Sequence, residues 1–251
     1  MNEANGYYPP EPSQIGTAES FDVEAFATRY GGVAKFILKA GATLYAQGQA
    51  ASCLFYVEKG RVRLSVLSPK GKEAIVAILD AGDFCGEDCL GGEPARVATA
   101  SCVTDAIVAR LEHSCVARAI RRDPQFAEFY LAYVLNRATA LREQLISQFF
   151  DSSEQRLARI LLALTRRNNG RRTDPVIRAF DQEALAQMVG TTRSRVNYFM
   201  NKFRKLGYID YKDDIVVYDA LAHAFSHAPI AAAAQFASAV ATPSMTPQAA
   251  R

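Results

Sequence analysis

Two stretches of the chain carry side chains whose types and spacing could do chemistry. The first is FDQEALAQMVGTTRSRVNYFMNKFRKLGYI, Phe180 to Ile209, which holds five cations and no acid between Arg193 and Lys205. Arginine can donate two hydrogen bonds to guanine O6 and N7, and asparagine can pair with adenine N6 and N7. Ser, Thr and Lys suit phosphate oxygens. On this chemistry Thr191, Thr192, Arg193, Ser194, Arg195, Asn197, Tyr198 and Lys202 are the candidate DNA contacts. A solvated basic face on an ordinary helical hairpin is the competing explanation. The second stretch is GDFCGEDCLGGEPARVATA, Gly82 to Ala100. A Gly-rich turn can offer backbone N–H groups to a phosphate. Arg96 could supply the matching cation, and Glu87 could accept from a ribose hydroxyl. A plain salt bridge between Arg96 and Glu87 would explain the pair without any ligand.

Other chemistries lack their parts. His113, His223 and His227 stand beside no nucleophile motif, so an enzyme is not expected and no catalytic residue is assigned. Cys85-x3-Cys89 is not a zinc spacing and no second pair follows it, so no metal site is assigned. All five cysteines are expected as reduced thiols packed as small hydrophobes. A ligand-sensing module whose basic region binds protein or RNA remains the alternative to a DNA-binding protein.

The elements that position these residues follow from pattern. Asp181 suits the cap of one helix, Gly190 a left-handed turn and Thr192 the cap of a second helix. In that second helix Val196, Phe199, Met200 and Phe203 face inward at i, i+3, i+4, i+7, which is a helix-turn-helix with the basic residues outward. Two short strands, 207–211 and 215–218, with a turn at Lys212-Asp213-Asp214, complete a wing. From about Ala34 to Leu111, short apolar runs alternate with glycine turns, and Arg61 to Val66 alternates with period two, so an all-β sandwich or barrel is expected. Ser68 to Lys72 reads as a hairpin turn.

Asp123-Pro124 is a helix start, and no glycine or further proline follows before Phe150. The helix has about 26 residues and spans roughly 39 Å. One apolar row is Tyr130, Val134, Ala138, Leu141 and Leu145, and a second is Phe126, Phe129 and Tyr133. Two apolar faces fit a helix that packs on its own domain and on a second subunit. Asp151-Ser152-Ser153-Glu154 reads as a break followed by a capping box, and the next amphipathic helix carries Leu157, Ile160, Leu161 and Leu164. Ser20 is expected to cap a short helix near the start, and 166–174 is expected to be a polar loop.

The 251 residues are 49% hydrophobic and 22% charged, enough for two modest domains and against a disordered or fibrous chain. Thirteen Lys/Arg and nine Asp/Glu fall between 151 and 226, so that region is net positive while the rest of the chain is slightly negative. The chain shows neither a long apolar run nor a secretory leader, so no membrane association and a cytoplasmic location are expected.

The order of these pieces resembles the Crp/Fnr superfamily of bacterial transcription regulators over about 34–222. The resemblance rests on the run QG…FYVEKGRVRL…GKEAIVAILDAGDFCGE, on the long helix after Asp123-Pro124, and on LAQMVGTTRSRVNYFMNKFRKLGYI with a wing ending IVVY. It implies an α+β chain with an N-terminal β-roll (a cyclic-nucleotide-binding-like jelly roll), a long dimerisation helix and a C-terminal winged helix-turn-helix. The expected division is a disordered tail at 1–20, an effector domain at 21–122, a dimerisation helix at 123–150, the DNA-binding domain at 151–226 and a flexible Ala-rich tail at 227–251. The implied partners are double-stranded promoter DNA and a second copy of the chain, with RNA polymerase a further candidate.

For the effector, Gly86, Glu87 and Arg96 match the Gly-Glu…Arg spacing of cyclic nucleotide binders, and Val97, Leu141 and Arg142 fall at the remaining ligand positions. Val97 replaces a small or hydroxyl residue, Leu141 and Arg142 replace a Thr/Ser pair, and Asp88 adds a negative charge. A cyclic nucleotide, another small effector and no effector all remain open. Ser194 and Tyr198 replace a Glu and an Arg of the best-known members, so the operator is expected to differ. No cysteine precedes Cys53, so the iron–sulfur cluster of oxygen-sensing relatives is not implied.

Overall fold

The computed structural model describes residues 21–166, 176–178, 180–211 and 214–225. The expected terminal tails, most of the polar loop and the tip of the wing turn lie outside these residues.

The chain opens with helix α1 (Val23–Tyr30) and continues through strands β1 (Val33–Leu38), β2 (Thr43–Tyr45), β3 (Cys53–Lys59), β4 (Val62–Leu67), β5 (Glu73–Leu79) and β6 (Phe84–Cys85). A 3-10 turn at Glu87–Leu90 leads to β7 (Thr99–Cys102) and β8 (Ala106–Glu112). The strands form two four-stranded antiparallel sheets, ordered β1-β8-β3-β6 and β2-β7-β4-β5. The central strand β3 is buried on both faces. Cys53, Phe55 and Val57 enter the core between the sheets, while Leu54 and Tyr56 face the helices. Two buried faces explain why LFYV shows no polar alternation. The hairpin between β4 and β5 closes through Ser68 N–H to the Lys72 carbonyl at 2.8 Å, with Gly71 at φ +76°.

Helix α2 (His113–Arg122) joins the roll to the long helix α3 (Pro124–Phe150). The Asp123 side chain caps α3 by accepting from the Phe126 N–H at 3.2 Å, and Pro124 fills the first turn, where no amide donor is needed. The inner face of α3 is aromatic: Phe126, Phe129, Tyr130 and Tyr133 pack on Phe84, Tyr56 and the Phe21 ring. Tyr130 therefore belongs with Phe126, Phe129 and Tyr133, not with the Val134–Leu145 row as its spacing suggested. The early helix also differs from expectation. Its cap is Asp22, which accepts from Ala25 N–H at 2.9 Å, because Phe21 is drawn into the aromatic cluster and the helix starts after it.

Helix α4 (Ser153–Arg166) follows a sharp break. Its capping box pairs Ser152 with Gln155, the Ser hydroxyl accepting from Gln155 N–H at 3.2 Å and the Gln carbonyl oxygen from Ser152 N–H at 2.8 Å. Gln155, three residues after the cap, is the reciprocal partner, and Glu154 supplies the acid of the first turn. Strand β9 (Val176–Ile177), helices α5 (Gln182–Val189) and α6 (Arg193–Lys205), strands β10 (Ile209–Tyr211) and β11 (Ile215–Val217) and helix α7 (Asp219–Phe225) complete the chain. The wing is three-stranded, because β9 adds to β11 at Ile177 opposite Ile215. Two residues are too short to show strand periodicity, so β9 had no sequence signal.

The helical core continues into the roll. Ile75 and Ile78 of β5 are buried in one cluster with Leu157, Leu161, Leu185, Val189 and Phe203. At the edge of that contact the Arg61 guanidinium lies 5.7 Å from the Phe180 ring centre, and Gln187 donates to Glu73 at 3.4 Å.

Candidate nucleic-acid interface and effector cassette

Helices α5 and α6 meet at a tight turn. Asp181 caps α5 by accepting from Ala184 N–H at 2.7 Å, Gly190 ends it at φ +71° and ψ +43°, and Thr192 caps α6 by accepting from Arg195 N–H at 3.4 Å. The left-handed residue lets the Gly190 and Thr191 N–H groups both return to the Ala186 carbonyl at 3.0 Å, so the helix end is satisfied. Val196, Phe199, Met200 and Phe203 are buried and fix the rotation of α6. Thr192, Arg193, Ser194, Arg195, Asn197 and Tyr198 are exposed, Tyr198 at 66%, and Thr191 is half-buried. The structure thus places these candidate DNA contacts on one solvent-facing surface. Lys202 differs: its ammonium is held by the Glu154 carboxylate of α4 at 2.8 Å, which raises its pKa. Arg193 also borders a cavity of about 250 Å³ between α5 and the wing, lined by Phe180, Gln182 and Tyr211.

One arginine, Arg156, ties this unit to the end of α3. It donates to the Val189 carbonyl at 3.0 Å and to the Asp151 carbonyl at 2.7 Å. The Asp151 carboxylate in turn receives the Ser147 hydroxyl at 2.6 Å and Arg159 at 2.8 Å. The α3 end is therefore joined to the helix-turn-helix by hydrogen bonds as well as by the chain.

In the cassette, Gly86 takes the left-handed conformation at φ +80°. A Cβ there would lie 2.5 Å from Arg96 Nη1, so any side chain would both strain the left-handed backbone and displace the guanidinium. Arg96 is 3% exposed and points into the roll. It donates to the Gly86 carbonyl at 2.7 Å and to the Cys53 carbonyl at 2.5 Å, and its guanidinium lies 4.5 Å from the Tyr45 ring centre. Its Nε is buried without a partner among the described residues. The Arg96–Glu87 salt bridge that would have explained the pair without a ligand is not formed. Asp88 is the acid near Arg96, at 3.9 Å, and Glu87 pairs with Arg137 of α3 at 3.3 Å. The reason is direction: the 3-10 turn aims Glu87 outward at α3, while the next residue faces the roll.

Arg137 was not singled out from the sequence. It extends the inner row of α3 by one turn beyond Tyr133, and a cation ending an aromatic row was the signal available. Burial opposes its charge, but the Tyr133 hydroxyl and the Glu87 and Asp83 carboxylates more than offset that, and its pKa is raised. The Tyr133 hydroxyl both donates to the Phe84 carbonyl at 2.9 Å and accepts from the Phe84 N–H at 2.8 Å, which clamps α3 to the cassette strand. The Tyr130 hydroxyl is buried without a partner among the described residues, and its pKa is raised, first by burial and then by Glu87.

Val97, 57% exposed, does not join this cluster, nor do Leu141, 49% exposed, and the exposed Arg142. Leu141 lies instead on an outer apolar stripe with Leu131, Val134, Leu135 and Leu145, each at least 39% exposed. Cys53, Cys85 and Cys89 are buried around Arg96. Burial, then the Glu87 charge, pushes the Cys85 thiol up to about 12.

Two family models match the chain. A cyclic nucleotide-binding domain matches residues 35–123, and a Crp-like helix-turn-helix domain matches residues 155–222. A CRP-like cAMP-activated global transcriptional regulator of Mycobacterium tuberculosis is 25% identical over 67% of this chain and 76% of its own. A cyclic AMP receptor protein of Thermus thermophilus is 29% identical over 67% of this chain and 76% of its own. Among solved structures, FixK2 of Bradyrhizobium japonicum covers 78% of this chain and 98% of its own with a TM-score of 0.67 at 19% identity, a likeness of fold.

Proposed function

The chain belongs to the Crp/Fnr superfamily of transcription regulators, and on that premise we propose that it acts as a homodimer on promoter DNA under control of a small effector held at the cassette. The family is one of regulators, not enzymes, and the two domains make this chain a DNA-binding regulator. The observation that carries the proposal is α6: an outward face of Thr192, Arg193, Ser194, Arg195, Asn197 and Tyr198, with no acid, on a helix whose other face is locked in a core.

The outer stripe of α3 supports the dimer. Leu131, Val134, Ala138, Leu141 and Leu145 follow coiled-coil spacing, and a contiguous exposed apolar row of this kind marks a surface that another chain covers. A second copy presents the same row, so the two helices pack on a twofold axis. Each copy then offers one α6 to the major groove of half-sites about 34 Å apart.

Unpartnered polar groups support an effector between the cassette and α3. Arg96 Nε and the Tyr130 hydroxyl are both buried donors without a partner among the described residues, and each such group costs about 1–3 kcal/mol. An anionic ligand with a hydroxyl near Glu87 would satisfy them, and cAMP is the first such ligand to test. Tyr133 and Arg137 already join α3 to the cassette, so a ligand that displaces Arg137 from Glu87 biases the helix and, through Asp151 and Arg156, the reading unit. The protein would act in the cytoplasm, where promoters and RNA polymerase meet.

The test is selection of binding sites from random duplex DNA with the full-length protein, followed by affinity measurement on the selected site with and without cAMP. Arg193→Ala and Arg195→Ala are expected to weaken binding about tenfold or more. Unchanged affinity in both variants, with folding intact, would refute α6 as the reading helix. Affinity indifferent to millimolar cAMP would remove that ligand from the proposal.

A further inference from the structure

A directed run of hydrogen bonds decides which way the Asn197 amide faces. Arg204 donates from Nη2 to Oδ1 of Asn201 at 3.2 Å, and the Tyr211 hydroxyl of the wing meets the same oxygen at 3.2 Å. A guanidinium can only donate, so the Asn201 atom facing it must be the amide oxygen. Asn201 Nδ2 therefore points along the helix toward Asn197. It donates to the Asn197 backbone carbonyl at 2.9 Å and to Asn197 Oδ1 at 3.1 Å. The carbonyl can only accept, which orients Asn201 a second time. The Asn197 side-chain atom meeting that N–H must itself accept, so it is Oδ1 and not Nδ2. Gln182, the first residue of α5, donates to the same oxygen from Nε2 at 3.3 Å. Both accepting positions of Asn197 Oδ1 are thus occupied from within the protein, while Asn197 is exposed. What it offers to a ligand is the Nδ2 donor pair.

Resting on α6 as the DNA-reading helix, we infer that Asn197 is a donor-only, specificity-determining residue that selects guanine and rejects adenine. Asparagine reads adenine through a donor to N7 and an acceptor for the N6 amine. The second half of that pairing needs Oδ1, and Oδ1 is taken. Guanine presents two acceptors, N7 and O6, side by side in the major groove, which suits an amide nitrogen with two hydrogens. Adenine would set its N6 donor against the Asn197 donor. Asn197 sits one turn after Arg193 on the same side of α6, so the guanine lies next to the base Arg193 contacts. Asn201, Gln182 and Tyr211 act as positioning residues that need not touch DNA.

The experiment is site selection from random duplex DNA by the full-length protein and its variants. Asn197→Ala identifies the base pair whose preference depends on residue 197. At that pair the unmodified protein is expected to favour guanine over adenine about tenfold. Asn201→Ala frees one accepting position of Oδ1, the one adenine N6 needs, and should shift that ratio toward adenine by a similar factor, leaving the pairs read by Arg193 unchanged. Asn197→Asp, an exposed isosteric change that needs no refolding, replaces donors by acceptors and should lose guanine for a base whose exocyclic amine donates. Adenine at the Asn197-dependent pair in the unmodified protein, or guanine retained in Asn197→Asp, overturns the inference and leaves the helix assignment standing. No pair depending on residue 197 while Arg193→Ala alters selection has the same effect. No enrichment of any sequence rejects α6 as the reading helix, and this inference with it.

Discussion

Replacing Arg96 by alanine should destabilise the protein in the absence of any effector. The side chain is 3% exposed and donates to two buried carbonyls, those of Gly86 and Cys53, at 2.7 and 2.5 Å. Hydrogen bonds from a charged donor contribute about 1.5–3 kcal/mol each. Removing the side chain leaves both carbonyls without that donor and opens a cavity against the Tyr45 ring, 4.5 Å from the guanidinium centre. Relief of a buried charge with an unpartnered Nε works the other way. The balance is a loss of about 3 kcal/mol, or roughly 6–12 °C in Tm for a chain of this size. The assay is thermal unfolding followed by circular dichroism on effector-free protein, with Arg96→Lys in parallel. Lysine keeps the charge but cannot span two divergent carbonyls, so it should fall between alanine and the unmodified protein. A Tm for Arg96→Ala within about 2 °C of the parent would mean the guanidinium is not anchored in the roll, and would refute the assignment of a structural role to it. The outcome also governs ligand experiments, since loss of binding in a half-unfolded Arg96→Ala protein says nothing about a phosphate contact.

Three further outcomes follow from the same contacts. Leu145→Asp, on the outer stripe of α3, should yield a single-subunit mass in sedimentation and cut affinity for a two-half-site DNA by about a hundredfold, while leaving the melting of the roll in place. Gly190→Ala should cost about 1–2 kcal/mol from backbone strain alone, because φ is +71° and the nearest atom to a new Cβ is the Gln148 side chain at 3.9 Å; a urea midpoint equal to the parent's would contradict this. Cys85 should make the protein less stable as pH rises from 9.0 toward about 12: the unfolded thiol releases its proton first, while burial keeps the native thiol protonated, so stability is complete below that range and lost through it. The difference in urea midpoint between the parent and Cys85→Ala, followed across that range, isolates the effect from other titrating groups.

Much of the site was legible in the sequence because it is built from local devices. Asp181, Gly190 and Thr192 announce two helices and the turn between them by their own conformational preferences, and the structure has each in that role. The inward stripe of Val196, Phe199, Met200 and Phe203 follows from the helical period and settles which face of α6 is outward. Asp123-Pro124 starts α3 for the same kind of reason. Where the readings failed, the deciding force was not local. Asp22 caps α1, whereas Ser20, the expected cap, lies outside the described residues, and Phe21 between them packs on rings more than thirty residues away in sequence. Tyr130 left the outer row because Phe84 and Phe126 offered it a buried face.

By itself the sequence determined the helix-turn-helix, the strand-and-turn pattern of the N-terminal half, the long helix and the basic face of α6, since caps, turn glycines and periodicity act over a few residues and need no partner from elsewhere in the chain. Only the tertiary structure decided the pairings that give those elements their chemistry. Glu87 meets Arg137 and not Arg96, across some fifty residues of chain, because the 3-10 turn points adjacent acids in different directions. Lys202 is claimed by Glu154, Arg156 bridges Val189 and Asp151, and Asn197 has its acceptor filled by Gln182 and Asn201. Hydrogen bonds and ion pairs act over about 3 Å, so which donor meets which acceptor is settled only when packing has brought distant segments within that range.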